Sequence, residues 1–115
     1  MKMYKLLTQD MTSHGGMTWA IGKKNIATGK GSTMCTSQVL HCYSHPVLAI
    51  LFNPIHANIT NPRLFEIECS PMVADDGVKF ACKEQTPTKE LTPIVLSIED
   101  RVEFSIYCSL ESGYT

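Results

Sequence analysis

Two stretches of this chain alternate apolar and polar residues with a period of two, and a strong turn signal stands between them. Residues 63–69 read RLFEIEC and residues 78–83 read VKFACK, with Asp75-Asp76-Gly77 in the interval. A period of two puts Phe65, Ile67 and Cys69 on one face of a strand and Glu66 and Glu68 on the other. In the same way Val78, Phe80 and Cys82 oppose Lys79, Ala81 and Lys83. An Asp-Gly pair supplies the positive φ that a tight hairpin turn requires. The pattern predicts an antiparallel hairpin that buries its apolar face and leaves Glu66, Lys79 and Lys83 in water. Such a hairpin must cover that face with another layer, which restricts the chain to a sheet-based fold.

The remaining elements follow from local signals. Residues 3–7 and 17–21 read as strands, and 8–16 as a polar, glycine-containing loop. Residues 23–33, with Gly29 and Gly31, read as loop, and 38–43 as a short strand. Ser44 suits a helix N-cap and Pro46 a first turn, so the apolar run ending at Asn53-Pro54 predicts a short helix over 45–53. Residues 90–96 read as a strand, with Pro93 confining it to an edge or a bend. Ser97 and Asp100 resemble a capping box. Ile98, Val102, Ser105, Ile106 and Leu110 then line one face of a longer helix over 98–111. The expected class is α+β: a single domain over 1–115 with a small, mainly antiparallel sheet, one short helix and one longer C-terminal helix.

At 115 residues, the chain buries roughly 65% of its unfolded surface, enough for one modest core. The start, MKMYKLLTQD, lacks the apolar region and cleavage site of a signal peptide, so a cytoplasmic protein is expected. No run approaches the ~20 apolar residues of a membrane span. The five cysteines, Cys35, Cys42, Cys69, Cys82 and Cys108, form no CxxC pair and read as small buried apolar residues. Charge is uneven along the chain: residues 1–62 hold five Lys/Arg and one Asp, whereas residues 63–115 hold five Lys/Arg and ten Asp/Glu. Neither half is basic enough to point to direct nucleic-acid binding.

Chemistry concentrates in LHCYSHP, residues 40–46. His41, Cys42 and His45 would suit zinc if one helix carried both histidines. Ser44 and Pro46 place the helix start after His41, so no metal is expected there, and no cofactor elsewhere. Cys42 adjoins His41, but neighbours on a strand point to opposite faces, which separates thiol from imidazole. The stretch ATGKGST, residues 27–33, lacks the spacing of a phosphate loop. His14, Trp19, His41 and His45 remain as a candidate pocket, with Asp10 in the loop nearby.

The stretches YKLLTQDMTSHGGMTWAIGK and LHCYSHPVLAILFNPIHANITNPRLFEIE resemble a group of small uncharacterised proteins and domains of bacteriophages and bacteria. That pattern has a Tyr-Lys strand, Asp-Leu/Met-Thr, an aromatic residue followed by Ile/Val-Gly, a His-x-Cys-like stretch and an acidic strand. The order of elements is also similar to a pared-down ADP-ribosyltransferase core, which would put Tyr4-Lys5, His41 and Glu66 on its three strands. The resemblance implies a phage-type accessory protein that binds a host protein or nucleoprotein, with antagonism of a host defence system as its role. Glu66, Glu68, Glu99, Asp100 and Glu103 would then form an acidic docking face. The alternative is a ligand-binding domain, or a degenerate transferase, using His14, His41, His45 and Glu66, with His41 and Glu66 as its catalytic pair.

Overall fold

The computed structural model describes residues 1–13, 16–29, 31, 39–56, 58–75, 77 and 79–92, with side chains of 54–56 excepted. Seven strands and one helix follow in order: β1 (Lys2–Leu7), β2 (Asn25–Ile26), β3 (Leu40–Cys42), α1 (Pro46–His56), β4 (Arg63–Cys69), β5 (Ala74–Asp75), β6 (Phe80–Cys82) and β7 (Glu84–Leu91). All strand pairs are antiparallel. They form a four-stranded sheet in the order β1-β4-β7-β2 and a three-stranded sheet in the order β3-β6-β5.

This overturns the expected α+β class. Among the described residues the fold is mostly antiparallel sheet in two layers, with one helix. The helix expected over 98–111 lies outside the described residues, and with it Glu99, Asp100 and Glu103. No helix among the described residues is long and apolar enough to cross a membrane.

The hairpin is present but differently partnered. Residue β6 pairs run to β5, at Ala74↔Ala81 and Asp75↔Phe80, and not to β4. Gly77 has φ +91°, and its N–H donates to Asp75 Oδ1 at 2.6 Å, so the turn uses an Asp carboxylate to hold the glycine. Strand β4 instead lies between β1 and β7 in the larger sheet. Lys79, expected in solvent, is 7% exposed, and Phe80 and Lys83 are half-buried. The reason is that β6 is the centre of its own sheet, covered along both edges by β3 and β5. Glu66 is also half-buried, not fully wet.

Other boundaries move for identifiable reasons. Helix α1 begins at Pro46, one residue later than expected, and its cap is His45 and not Ser44. The His45 carbonyl accepts from Ala49 N–H, and its Nδ1 accepts from Val47 N–H at 3.2 Å. Asn53-Pro54 does not end the helix, which runs on to His56. The exit is fixed by Asn53, whose side chain accepts from Ile59 N–H at 2.8 Å and donates to the Ile59 carbonyl at 2.9 Å. Residues 17–21 form no strand: Thr18 makes a single bridge to Thr12, and the edge strand falls instead on Asn25–Ile26, in the expected loop. Of the strand expected over 90–96, residues 90 and 91 end β7 (Glu84–Leu91), and residues 93–96 lie outside the described residues. Strand β7 contains Pro87, opposite Ile67, where the register slips between Glu66 and Ile67. The bulge leaves Thr88 as the extra residue, and its hydroxyl donates to the Glu66 carbonyl at 3.1 Å.

One face of the larger sheet and the inner face of the smaller share a core. Met3, Leu7, Phe65, Ile67 and Cys69 meet Leu40, Cys42, Cys82 and Trp19 there. The opposite face of the larger sheet carries α1 at one end, where Ala49 and Ile50 pack with Leu6, Tyr43 and Leu64. Phe65 is 0% exposed at the middle of the shared core. Phe65→Ala is expected to cost about 3–5 kcal/mol in a urea titration. Glu68→Ala, on the exposed side of the same strand, should stay within about 0.5 kcal/mol.

Candidate functional site

A backbone bridge between Tyr4 and Tyr43 links the two sheets. Tyr4 N–H donates to the Tyr43 carbonyl and Tyr43 N–H to the Tyr4 carbonyl, both at 2.8 Å. This bridge lays the end of β3 along β1. It therefore sets Cys42 against the inner face of β4, where Cys69 ends the strand. Cys82 ends β6 opposite Leu40 of β3. Three buried thiols, from strands of both sheets, converge with all their sulfurs within 4.8 Å of one another. Cys69 Sγ and Cys42 Sγ are 3.9 Å apart. None of the three is in a disulfide.

Polar groups surround these sulfurs. Gln85, opposite Cys69 on β7, is 0% exposed. Its Nε2 donates to Cys82 Sγ at 3.2 Å and to the His41 carbonyl at 3.1 Å. Its Oε1 is buried with no hydrogen-bond partner. The same His41 carbonyl accepts from Lys5 Nζ at 2.5 Å. The Lys5 ammonium also sits 5.0 Å from the centre of the Trp19 ring, whose Nε1 donates to Ser13 Oγ at 2.8 Å.

The electrostatics follow from this arrangement. Burial pulls the Lys5 ammonium below the ordinary lysine value, and the sulfurs of Cys42, Cys82 and Cys69 pull it back. Cys82 accepts hydrogen bonds from Cys42 and Cys69. With Gln85 and Lys5 adding to them, it is held well below the ordinary thiol value despite its burial. Cys69 donates to Cys42, and with the Cys82 sulfur beside it and its own burial it is held far above the ordinary thiol value. Cys42 is lowered by the bond from Cys69, but its bond to Cys82 and its burial prevail and push it up to about 12.

The residues singled out from sequence do not gather here as expected. Tyr4-Lys5, His41 and Glu66 do lie on three strands, β1, β3 and β4. Glu66, however, faces the other side of its sheet, held by Lys2 Nζ at 3.4 Å and by the Thr88 hydroxyl. His45 is spent on capping α1. Glu68 is exposed and binds the Met1 amine at 2.5 Å. Asp10 is exposed in its turn, and His14 lies outside the described residues. Trp19 is a core residue, as its composition favours. The signals for the observed cluster were present in part. Cys69 and Cys82 occupy inward positions of their strands, and Lys5 takes the inward position between Met3 and Leu7. Gln85 carried no signal.

A small antiparallel β domain of two sheets, stitched at Tyr4–Tyr43 around a buried thiol cluster, is the class these features define. The chain belongs to the family described as Domain of unknown function (DUF7666), which matches residues 1–96. No curated protein and no solved structure matches the chain.

Lys5 provides a test of this electrostatic picture. The folded ammonium loses its proton below the unfolded value of 10.5. Between those two pH values the unfolded chain binds more protons, so this group's contribution to stability rises with pH. In urea titrations from pH 7 toward 10.5, the wild type should gain stability relative to Lys5→Met. Parallel pH profiles for the two proteins would contradict a desolvated ammonium.

Proposed function

We propose that the protein is a small phage-type accessory protein of the host cytoplasm, which binds a macromolecule and in doing so antagonises a host defence system. The observation that carries this reading is where the chemistry lies. Cys42, Cys82 and Gln85 are fully buried, so no substrate reaches them without opening the core. What faces water is a sheet surface of alternating charge, with Lys2, Glu66, Glu68, Thr88 and Lys89 across three adjacent strands. Helix α1 covers this face only at its Leu6 and Leu64 end. An open, patterned sheet face suits a protein or nucleoprotein partner, whose complementary charges set register and association rate. Glu66 and Glu68 belong to the proposed docking face; Glu99, Asp100 and Glu103, assigned to it from the sequence, lie outside the described residues. The partner is a host protein or nucleoprotein with basic groups placed against those acids.

The test is retention of a partner from bacterial lysate on immobilised protein at low salt, with the fold of each variant checked by thermal melting. Reversing Glu66 and Glu68 to Lys should lower retention at least about tenfold, equivalent to about 1.4 kcal/mol. His41→Ala should leave it unchanged. If His41→Ala abolishes retention and the charge reversal does not, a ligand site at His41 replaces the docking face.

A further inference from the structure

We propose that Cys42, Cys69 and Cys82 form a three-thiolate site for one thiophilic metal ion with a filled d shell, zinc(II) or copper(I). The proposal is independent of the docking face, which lies on the other side of the larger sheet.

Geometry is the first support. Three sulfurs placed about 2.3 Å from a central ion stand roughly 4 Å from one another. The observed Cys42–Cys69 separation is 3.9 Å, and all three sulfurs lie within 4.8 Å. The ligands project from the ends of three strands, so no loop has to order for an ion to bind. Soft thiolates select copper(I) and zinc over magnesium or calcium.

The surroundings are the second support, and they are what separates this reading from three cysteines packed as small apolar residues. A purely apolar cluster has no use for an amide or an ammonium beside it, and burying either is unfavourable. Here Gln85 is fully buried and its Nε2 donates to the Cys82 sulfur, as outer groups do that orient a ligating thiolate. Its Oε1 belongs to the same amide, at the rim of the sulfur cluster, and has no protein partner. It is the one buried side-chain polar atom left so among the described residues. A cation held by the sulfurs gives that buried amide an attractive neighbour. Charge closes the argument. Three thiolates carry −3 and zinc +2, and the Lys5 ammonium on the adjoining His41 carbonyl brings the sum to zero. Binding displaces the thiol protons to solvent.

The expectation of no metal at His41, Cys42 and His45 concerned neighbours in the chain. The proposed set retains Cys42 alone from that group, and takes its other ligands from residues 27 and 40 positions further on.

The experiment uses the full chain, stripped with a chelator under reducing conditions and confirmed as folded. It is then offered zinc(II), cadmium(II) as a spectroscopic substitute, or copper(I). The expected result is one tightly held ion per chain by elemental analysis, a cadmium–thiolate absorption band with the intensity of three sulfurs, and a raised melting temperature. Cys35→Ser and Cys108→Ser should keep all three signals. Lys5→Met and Gln85→Leu should remain folded and weaken the metal about 10- to 100-fold in competition with a chromophoric chelator. Combined Cys42→Ala, Cys69→Ala and Cys82→Ala should abolish uptake. The cadmium spectrum of the wild type reads the ligand set directly, so the result does not hang on that triple variant folding. Failure of the folded wild type to take up any of the three ions would overturn the proposal. So would a band of fewer than three sulfurs, or uptake lost with Cys35 or Cys108.

Discussion

The reciprocal backbone pair between Tyr4 and Tyr43 is the contact on which the rest of this molecule depends. Two hydrogen bonds of 2.8 Å hold one sheet to the other, between the middle of β1 and the residue just past β3. On one side of the pair, Tyr43 packs with Leu6, Leu64 and the first turns of α1. On the other, Cys42 enters the core shared with Cys69 and Cys82. Loss of this stitch would free β3 from β1. It would also withdraw the His41 carbonyl from Lys5 and separate the sulfurs of the two sheets.

The seam it creates is unusual in being both buried and polar. A lysine on the inward face of β1 is normally a costly choice, since burial disfavours its charge. Here its Nζ finds the His41 carbonyl and the Trp19 ring, and it lies in the field of three sulfurs. Gln85 reaches the same carbonyl and one of the sulfurs. These groups form one connected set, in which removing a member leaves another unpaired. That interdependence explains why a chain with so few charges inside places two hydrogen-bonding side chains beside its cysteines.

What the sequence made legible was local. The period of two over 63–69 located β4 and its buried face, and Asp75 with Gly77 marked the hairpin turn. The start of α1 was also readable, to within one residue. Partner choice was not, because alternation says which face a strand buries and not against which strand it pairs. Hence β6 was assigned to β4 when it belongs between β3 and β5, and Lys79 was placed in water. One proline signal misled: Pro54, read as ending the helix, sits within it. The thiol cluster was half visible. Inward positions for Cys69 and Cys82 followed from the pattern, but the convergence of Cys42 required knowing that Tyr43 bridges Tyr4, a contact separated by 39 residues. Glu66 and Glu68, read as part of an acidic face, are partnered within the sheet, Glu66 with Lys2 and Glu68 with the Met1 amine.

Native-state amide hydrogen exchange at Tyr4 and Tyr43 tests the organising role of this stitch most directly. If the pair joins the two sheets into one cooperative unit, both amides should exchange only through global unfolding, with the same free energy as the amide of Phe65. Exchange at Tyr4 and Tyr43 that is faster than at Phe65 by about 100-fold or more, corresponding to an opening about 2.7 kcal/mol cheaper, would contradict it.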